Sequence, residues 1–190
     1  MHNSHNLVTI SPESHNVLLE IAYATRDNFT GEPIYQKPVC LLHKEAAKRL
    51  SRAVETITPL GLRLKIWDAF RPVEAQKMLF EHTPNPIYVG DPAVSPCPHC
   101  RGIAIDLTLT DQYGKELIMG TAFDDFRPLA HHGNNQISRE AQKNRLLLAG
   151  VMNIAGFDTF DTEWWHYQLP DANNYPLLKE ADIRTGIIAL

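Results

Sequence analysis

Gly102-Ile103-Ala104-Ile105-Asp106-Leu107-Thr108-Leu109 reads as one strand with two unlike faces. Ile103, Ile105, Leu107 and Leu109 fall on one side, Ala104, Asp106 and Thr108 on the other. The first side is purely aliphatic and must face a core, so Asp106 sits opposite it. Downstream, Asp111 to Gly114 reads as a turn and Lys115 to Met119 as the returning strand. Gly120 to Gln136 is irregular. Ser138 is placed to cap a helix running to about Ala155, which Gly156 ends. Phe157 to Phe160 and Trp164 to Leu169 read as a last pair of strands. Upstream, Thr83 to Pro98 holds five prolines and one glycine, a long loop of the kind that serves function in compact domains. Pro72 suits the start of a helix reaching about His82, and Leu62 to Trp67 alternates as a half-buried strand does. Lys44 to Thr58 repeats its apolar residues at helical steps, stopped by Pro59 and Gly61. Strands joined by turns, with helices set apart, give the α+β class: a largely antiparallel sheet with helices packed on it.

The whole chain of 190 residues is expected to form a single domain, with its core at about 20–170 and peripheral termini. Lys and Arg number 18 against 22 Asp and Glu, a net charge of −4 that speaks against nucleic acid as the main partner. No apolar run approaches the roughly 20 residues needed to span a bilayer. Residues 1–20 are polar, rich in His and Asn, and do not read as a secretory signal. The expected compartment is therefore the cytoplasm, or the periplasm if a leader has been removed. His2, His5 and His15 read as a solvated terminus, His131-His132 as solvated loop residues that can line a site mouth, and Lys143 and Arg145 as helix surface.

Two regions carry candidate chemistry. His99 lies in the loop just before the Asp106 strand, where the two side chains can converge on one cation. An Asp beside a turn with a solvated His would show the same spacing. Glu163 and His166 lie three apart in Asp161-Thr162-Glu163-Trp164-Trp165-His166-Tyr167, and a strand entered through a bend can bring both to one site. An aromatic core strand with a hydrogen-bonded His is the plainer reading. Together the regions supply His99, Asp106 and His166, with Glu163 left over. Two imidazoles and one carboxylate suit Zn²⁺ with an open fourth position, and a free carboxylate beside the metal can move the proton of an activated water.

His99-x-x-Gly102-x-Ala104-x-Asp106, followed by Glu163-Trp164-Trp165-His166, resembles the zinc D-alanyl-D-alanine dipeptidases of the VanX type. Asp68-Ala69-Phe70-Arg71-Pro72, Met119-Gly120-Thr121-x-Phe123-Asp124, and Tyr23-Ala24-Thr25-x-x-Asn28-Phe29-Thr30-Gly31 with Tyr35 soon after match the same family. The resemblance implies a central catalytic site with one zinc per chain, held by His99, Asp106 and His166. Glu163 would be the general base and acid, and Arg71 would polarise the scissile carbonyl. Asp124 would face the free ammonium group of a small dipeptide, with neighbouring Asp125 as the alternative, and Tyr35 would also meet the substrate. The preference for D-residues rests on the resemblance alone, and the oligomeric state is left open.

Cys97 stands where that family commonly carries Ser. Cys97-Pro98-His99-Cys100 is also the tetrapeptide of some thioredoxin-fold oxidases, but that chemistry needs a helix N-terminus, and a strand follows here. The two thiols can pair or compete for the metal. Two rival functions remain: a zinc D,D-carboxypeptidase acting on longer cell-wall peptides, and a non-catalytic zinc-binding module, against which the retained Glu163 argues.

Overall fold

A computed structural model describes residues 5–189. Five short elements lie where sequence periodicity gives no signal or only the ends of one: β1 (Leu7–Thr9), α1 (Pro12–His15), β2 (Leu18–Leu19), β3 (Leu41–His43) and, near the C-terminus, α5 (Glu180–Ile183). The longer elements follow the sequence pattern: α2 (Lys44–Ile57), β4 (Leu62–Asp68), α3 (Val73–His82), β5 (Ala104–Asp111), α4 (Arg139–Ala155), β6 (Asp158–Phe160) and β7 (Glu163–Gln168). β2, β4, β5, β7 and β6 form the main sheet in that order, antiparallel except for the β2–β4 pair, while β1 pairs with β3. The class is α+β, as expected.

Register explains why the strands are richer in buried residues than their alternation suggests. Leu64 lies opposite Leu109 and Ile66 opposite Leu107, so the aliphatic face runs across two strands. α2 and α4 pack on each other and on β4, β5 and β7. The opposite face is covered as well: Ala104, Asp106, Thr108 and Thr110 are all buried. β4 is flanked by β2 and β5, so it is more deeply buried at its C-terminal end than a half-buried strand would be.

The returning strand expected at Lys115 to Met119 shrinks to one bridge, Thr110 to Glu116. The ladder ends because α4 captures the next carbonyls: Asn144 Nδ2 donates to Ile118 O (2.9 Å) and Arg145 Nε to Met119 O (2.7 Å). Arg145 is therefore not on the helix surface. It is buried, also donates to Leu129 O at 2.9 Å, and lies over the Trp164 ring, whereas Lys143 is exposed. Arg145→Met is expected to cost about 2–4 kcal/mol in stability, because the carbonyls of Met119, Leu129 and His131 lose a charged donor at once. A chemical-denaturation midpoint unchanged from the parent would contradict this.

Described residues near both termini are not peripheral. Leu7, Ile10 and Val17 from one end and Leu178 and Ile187 from the other are buried in the same apolar cluster as the sheet. Of the histidines expected in solvent, His2 lies outside the described residues, and His5 and His15 are half-buried. Among the described residues no helix is long and apolar enough to cross a membrane.

Candidate metal centre and substrate cavity

The turn that delivers His99 depends on one glycine. Pro98–Arg101 is a 3₁₀ turn closed by Gly102 at φ 68°, and a Cβ there would lie 2.6 Å from Leu7 Cδ2. The chain then enters β5, where Asp106 pairs across the sheet with His166 of β7. Three side chains meet: His99 Nε2 is 3.2 Å from His166 Nδ1 and 3.2 Å from Asp106 Oδ2, and His166 Nδ1 is 3.1 Å from Asp106 Oδ1.

Those separations fit a shared cation. With zinc–nitrogen and zinc–oxygen bonds of about 2.0–2.1 Å, tetrahedral ligands stand about 3.3 Å apart. The imidazoles are oriented for the task. The Ala69 carbonyl can only accept, so at 2.6 Å it puts the His99 proton on Nδ1 and leaves Nε2 free. Gln168 Oε1, 3.0 Å from His166 Nε2, does the same for the other ring and frees Nδ1. Burial alone would push the Asp106 carboxyl up, but the facing His99 and His166 rings outweigh it and hold it well below the usual carboxylate range.

Glu163 begins β7, and its carboxylate sits 3.9 Å from His166 Nδ1 without hydrogen bonding to any described residue. Burial pushes this carboxyl up to about 7. Arg71 lies across the site with Nη2 at 3.8 Å from Asp106 Oδ2. Its guanidinium is clamped from behind: Nε and Nη2 donate to Asp68 Oδ2 at 3.0 and 2.7 Å, and Nη1 donates to Gln76 Oε1 at 2.7 Å. Asp124 takes the left-handed conformation at φ 56° and accepts from the Tyr23 hydroxyl at 3.2 and 3.0 Å. Burial, then the Asp106 charge, pushes the Asp124 carboxyl well up. His99, Asp106, His166, Glu163, Arg71 and Asp124 all line one cavity of about 190 Å³. That is smaller than the roughly 300–1,000 Å³ typical of drug-sized pockets. Residues 86–90 and 95–98 form its roof, where Tyr88 stacks on Phe126 at 5.1 Å and Phe126 meets Phe29 at 5.1 Å.

Residues 3–181 match the D-ala-D-ala dipeptidase family. The chain belongs to that family. It is 42% identical to the D-alanyl-D-alanine dipeptidase of Escherichia coli (strain K12), covering 95% of this chain and 93% of that one. Identity to the Enterococcus faecium D-alanyl-D-alanine dipeptidase is 35%, covering 83% and 88%. A structure of the vancomycin resistance D,D-pentapeptidase VanY with Zn(II) aligns over 92% of this chain and 93% of that one, at 13% identity and TM-score 0.44.

For this dipeptidase-family chain, one expected assignment shifts. Tyr35 does not line the cavity. Its buried hydroxyl donates to Asp68 Oδ1 at 2.9 Å, so it acts on the site through its neighbours rather than by touching the cavity. Tyr23, from the same stretch of sequence, is the tyrosine in the cavity wall, with Arg71 4.8 Å above its ring. Asp125 turns away into a pair with Arg127 at 2.8 Å, which leaves Asp124 as the acid in the cavity. Asp68, Gln76 and Gln168 hold the site's side chains in place, yet sequence reasoning misses that role, because single polar residues inside a strand or helix carry no spacing signal.

The remaining candidates are placed as follows. His131 is half-buried and meets the Tyr88 hydroxyl at 3.3 Å, bracing the roof, while His132 packs on Tyr167. Cys40, Cys97 and Cys100 are free and buried. The Cys100 thiol hydrogen-bonds Cys97 and pulls it down to about 7. A 3₁₀ turn and then a strand follow Cys97, so the helix N-terminus that thioredoxin-type chemistry needs is missing.

Proposed function

We propose that this chain hydrolyses D-alanyl-D-alanine to two D-alanines with one zinc per chain, held by His99, Asp106 and His166. The observation that carries the reading is the cluster of His99 Nε2, His166 Nδ1 and the two Asp106 oxygens, each ring nitrogen 3.1–3.2 Å from the other and from one carboxylate oxygen, opening into a small cavity beside an uncommitted carboxylate. Zinc bound there would supply an activated water and Lewis-acid polarisation of the scissile carbonyl. Glu163 takes the proton of the attacking water and returns it to the leaving amine. Its raised pKa suits both halves of that task.

Arg71 donates to the carbonyl oxygen as negative charge develops there. Its rear donors are engaged by Asp68 and Gln76, so the free ones are aimed before substrate arrives. Asp124 accepts from the substrate's ammonium group, and that new positive neighbour favours its ionised form.

The small volume of the cavity, with the Phe29–Phe126–Tyr88 wall against it, favours a dipeptide over the longer peptides of a carboxypeptidase. A non-catalytic zinc module would have no use for a buried carboxylate that holds nothing in place. The test is hydrolysis of D-alanyl-D-alanine against its N-acetyl form, each with chelator and with zinc restored. Chelation should abolish turnover and zinc should restore it. Acetylation removes the charge that Asp124 binds and adds bulk, so kcat/KM should fall at least about tenfold. Equal rates on the two substrates would move the assignment to a carboxypeptidase.

A further inference from the structure

We propose that Gln76 is a positioning residue that couples the loop bearing the cavity roof, residues 83–98, to the carbonyl-binding edge of Arg71. This deepens the peptidase reading and rests on it for its kinetic part. Gln76 projects from α3, is buried, and spends both ends of its amide. Oε1 accepts from Arg71 Nη1 at 2.7 Å, and Nε2 donates to Gly90 O at 2.8 Å in the roof. The orientation is forced, because a guanidinium only donates and a backbone carbonyl only accepts.

The consequence is clearest in the donor count. A guanidinium has five N–H groups. Asp68 Oδ2 takes one from Nε and one from Nη2, and Gln76 takes one from Nη1. One N–H remains on each terminal nitrogen, the pair that can fork onto a substrate oxygen. Asp68 alone pins one side of the guanidinium plane, and Gln76 pins the other.

The roof end of the link is equally constrained. A Cβ at Gly90 would lie 2.6 Å from Ser95 Oγ, and that oxygen accepts from Cys97 N at 3.3 Å. Cys97 holds a left-handed φ of 44° just before the turn that carries His99. One amide thus ties together the roof loop that begins the metal-bearing turn and the residue that receives the developing charge. Neither common replacement reproduces it. Leucine strands both the Nη1 donor and the Gly90 carbonyl, while glutamate keeps the acceptor for Arg71 and turns an oxygen toward the Gly90 oxygen.

The test uses the zinc-loaded full chain with Gln76→Leu and Gln76→Glu, each made also in an Arg71→Ala background. Gln76→Leu should lower kcat about tenfold, on the scale of a misplaced reacting group, and should speed limited proteolysis within residues 83–98. In the Arg71→Ala background the same change should lower kcat no further. Gln76→Glu should keep most of kcat, raise KM and open the roof to protease. A Gln76→Leu loss that persists in full without Arg71, or a roof as protected as the parent's in both variants, would overturn the proposal. If Gln76→Leu does not fold, Gln76→Glu carries the test, and a kcat loss without roof opening refutes it. The proteolysis arm needs no turnover, so a parent inactive on D-alanyl-D-alanine would refute the peptidase reading and leave the roof tether to be judged separately.

Discussion

Glu163→Ala is expected to fold, to bind one zinc per chain, and to lose at least about 10²–10⁴ in kcat on D-alanyl-D-alanine, the usual worth of general acid–base catalysis. The loss should fall at or beyond the top of that range, since one carboxylate serves two proton transfers. Metal retention follows from geometry. The Glu163 carboxylate stands 3.9 Å from His166 Nδ1, too far for a hydrogen bond, and hydrogen-bonds to no described residue. Removing it costs the fold little polar structure. His166→Ala is the contrast. It removes one of three donors and leaves two, too few for a tight site, so zinc content should collapse along with the rate. Metal analysis and single-turnover kinetics on both variants decide the matter. If Glu163→Ala loses zinc as readily as His166→Ala, Glu163 is a ligand and the assigned roles fail. Near-normal rates in Glu163→Ala would place the proton transfer elsewhere.

Arg71→Ala should lower kcat by about 10²–10³, the loss that follows removal of one oxyanion donor. It should also destabilise the protein by about 3–5 kcal/mol, because it leaves a buried partner charge uncompensated. That partner is Asp68, almost fully buried, whose remaining hydrogen-bond donor is the Tyr35 hydroxyl at 2.9 Å. Burial pushes Asp68 up and Arg71 pulls it back, so without Arg71 the carboxyl should take a proton. Arg71→Lys should restore little, since an ammonium cannot engage Asp68 and Gln76 together and still present two donors to substrate. Kinetics normalised to folded protein, alongside thermal melts, separate the two effects. A variant as stable as the parent would contradict the clamp. Kinetics within a factor of three of the parent would contradict the oxyanion role.

Long elements with strong periodicity are legible in the sequence. The α2 and α4 patterns and the two-faced β5 strand match the folded elements to within a residue or two, and with them goes the placement of Asp106 opposite the aliphatic face. His99, Asp106, His166 and Glu163 are legible as candidates, because two imidazoles, a carboxylate and a spare carboxylate suit a metal site and the family motifs around them favour that reading over the plainer ones. What their spacing leaves undecided is convergence. Glu163 and His166 would lie on opposite faces of a flat strand, and only the irregular β6–β7 pairing at Phe160 and Glu163 brings both to the same cavity.

The amino-acid sequence by itself determined the residue types: which side chains can ligate, which can move a proton, and which strand face must be core. Those are local properties of neighbouring residues. The tertiary structure alone decided which polar residue meets which. Tyr35 went to Asp68 rather than to the cavity, Tyr23 took the cavity wall, Arg145 was drawn inward by the carbonyls of a distant loop, and residues near each terminus, such as Leu7 and Ile187, joined the core. Each of these is a contact between residues far apart in the chain. Such contacts are selected by hydrogen bonds that must be satisfied once both groups are buried, a demand that exists only after the chain has folded.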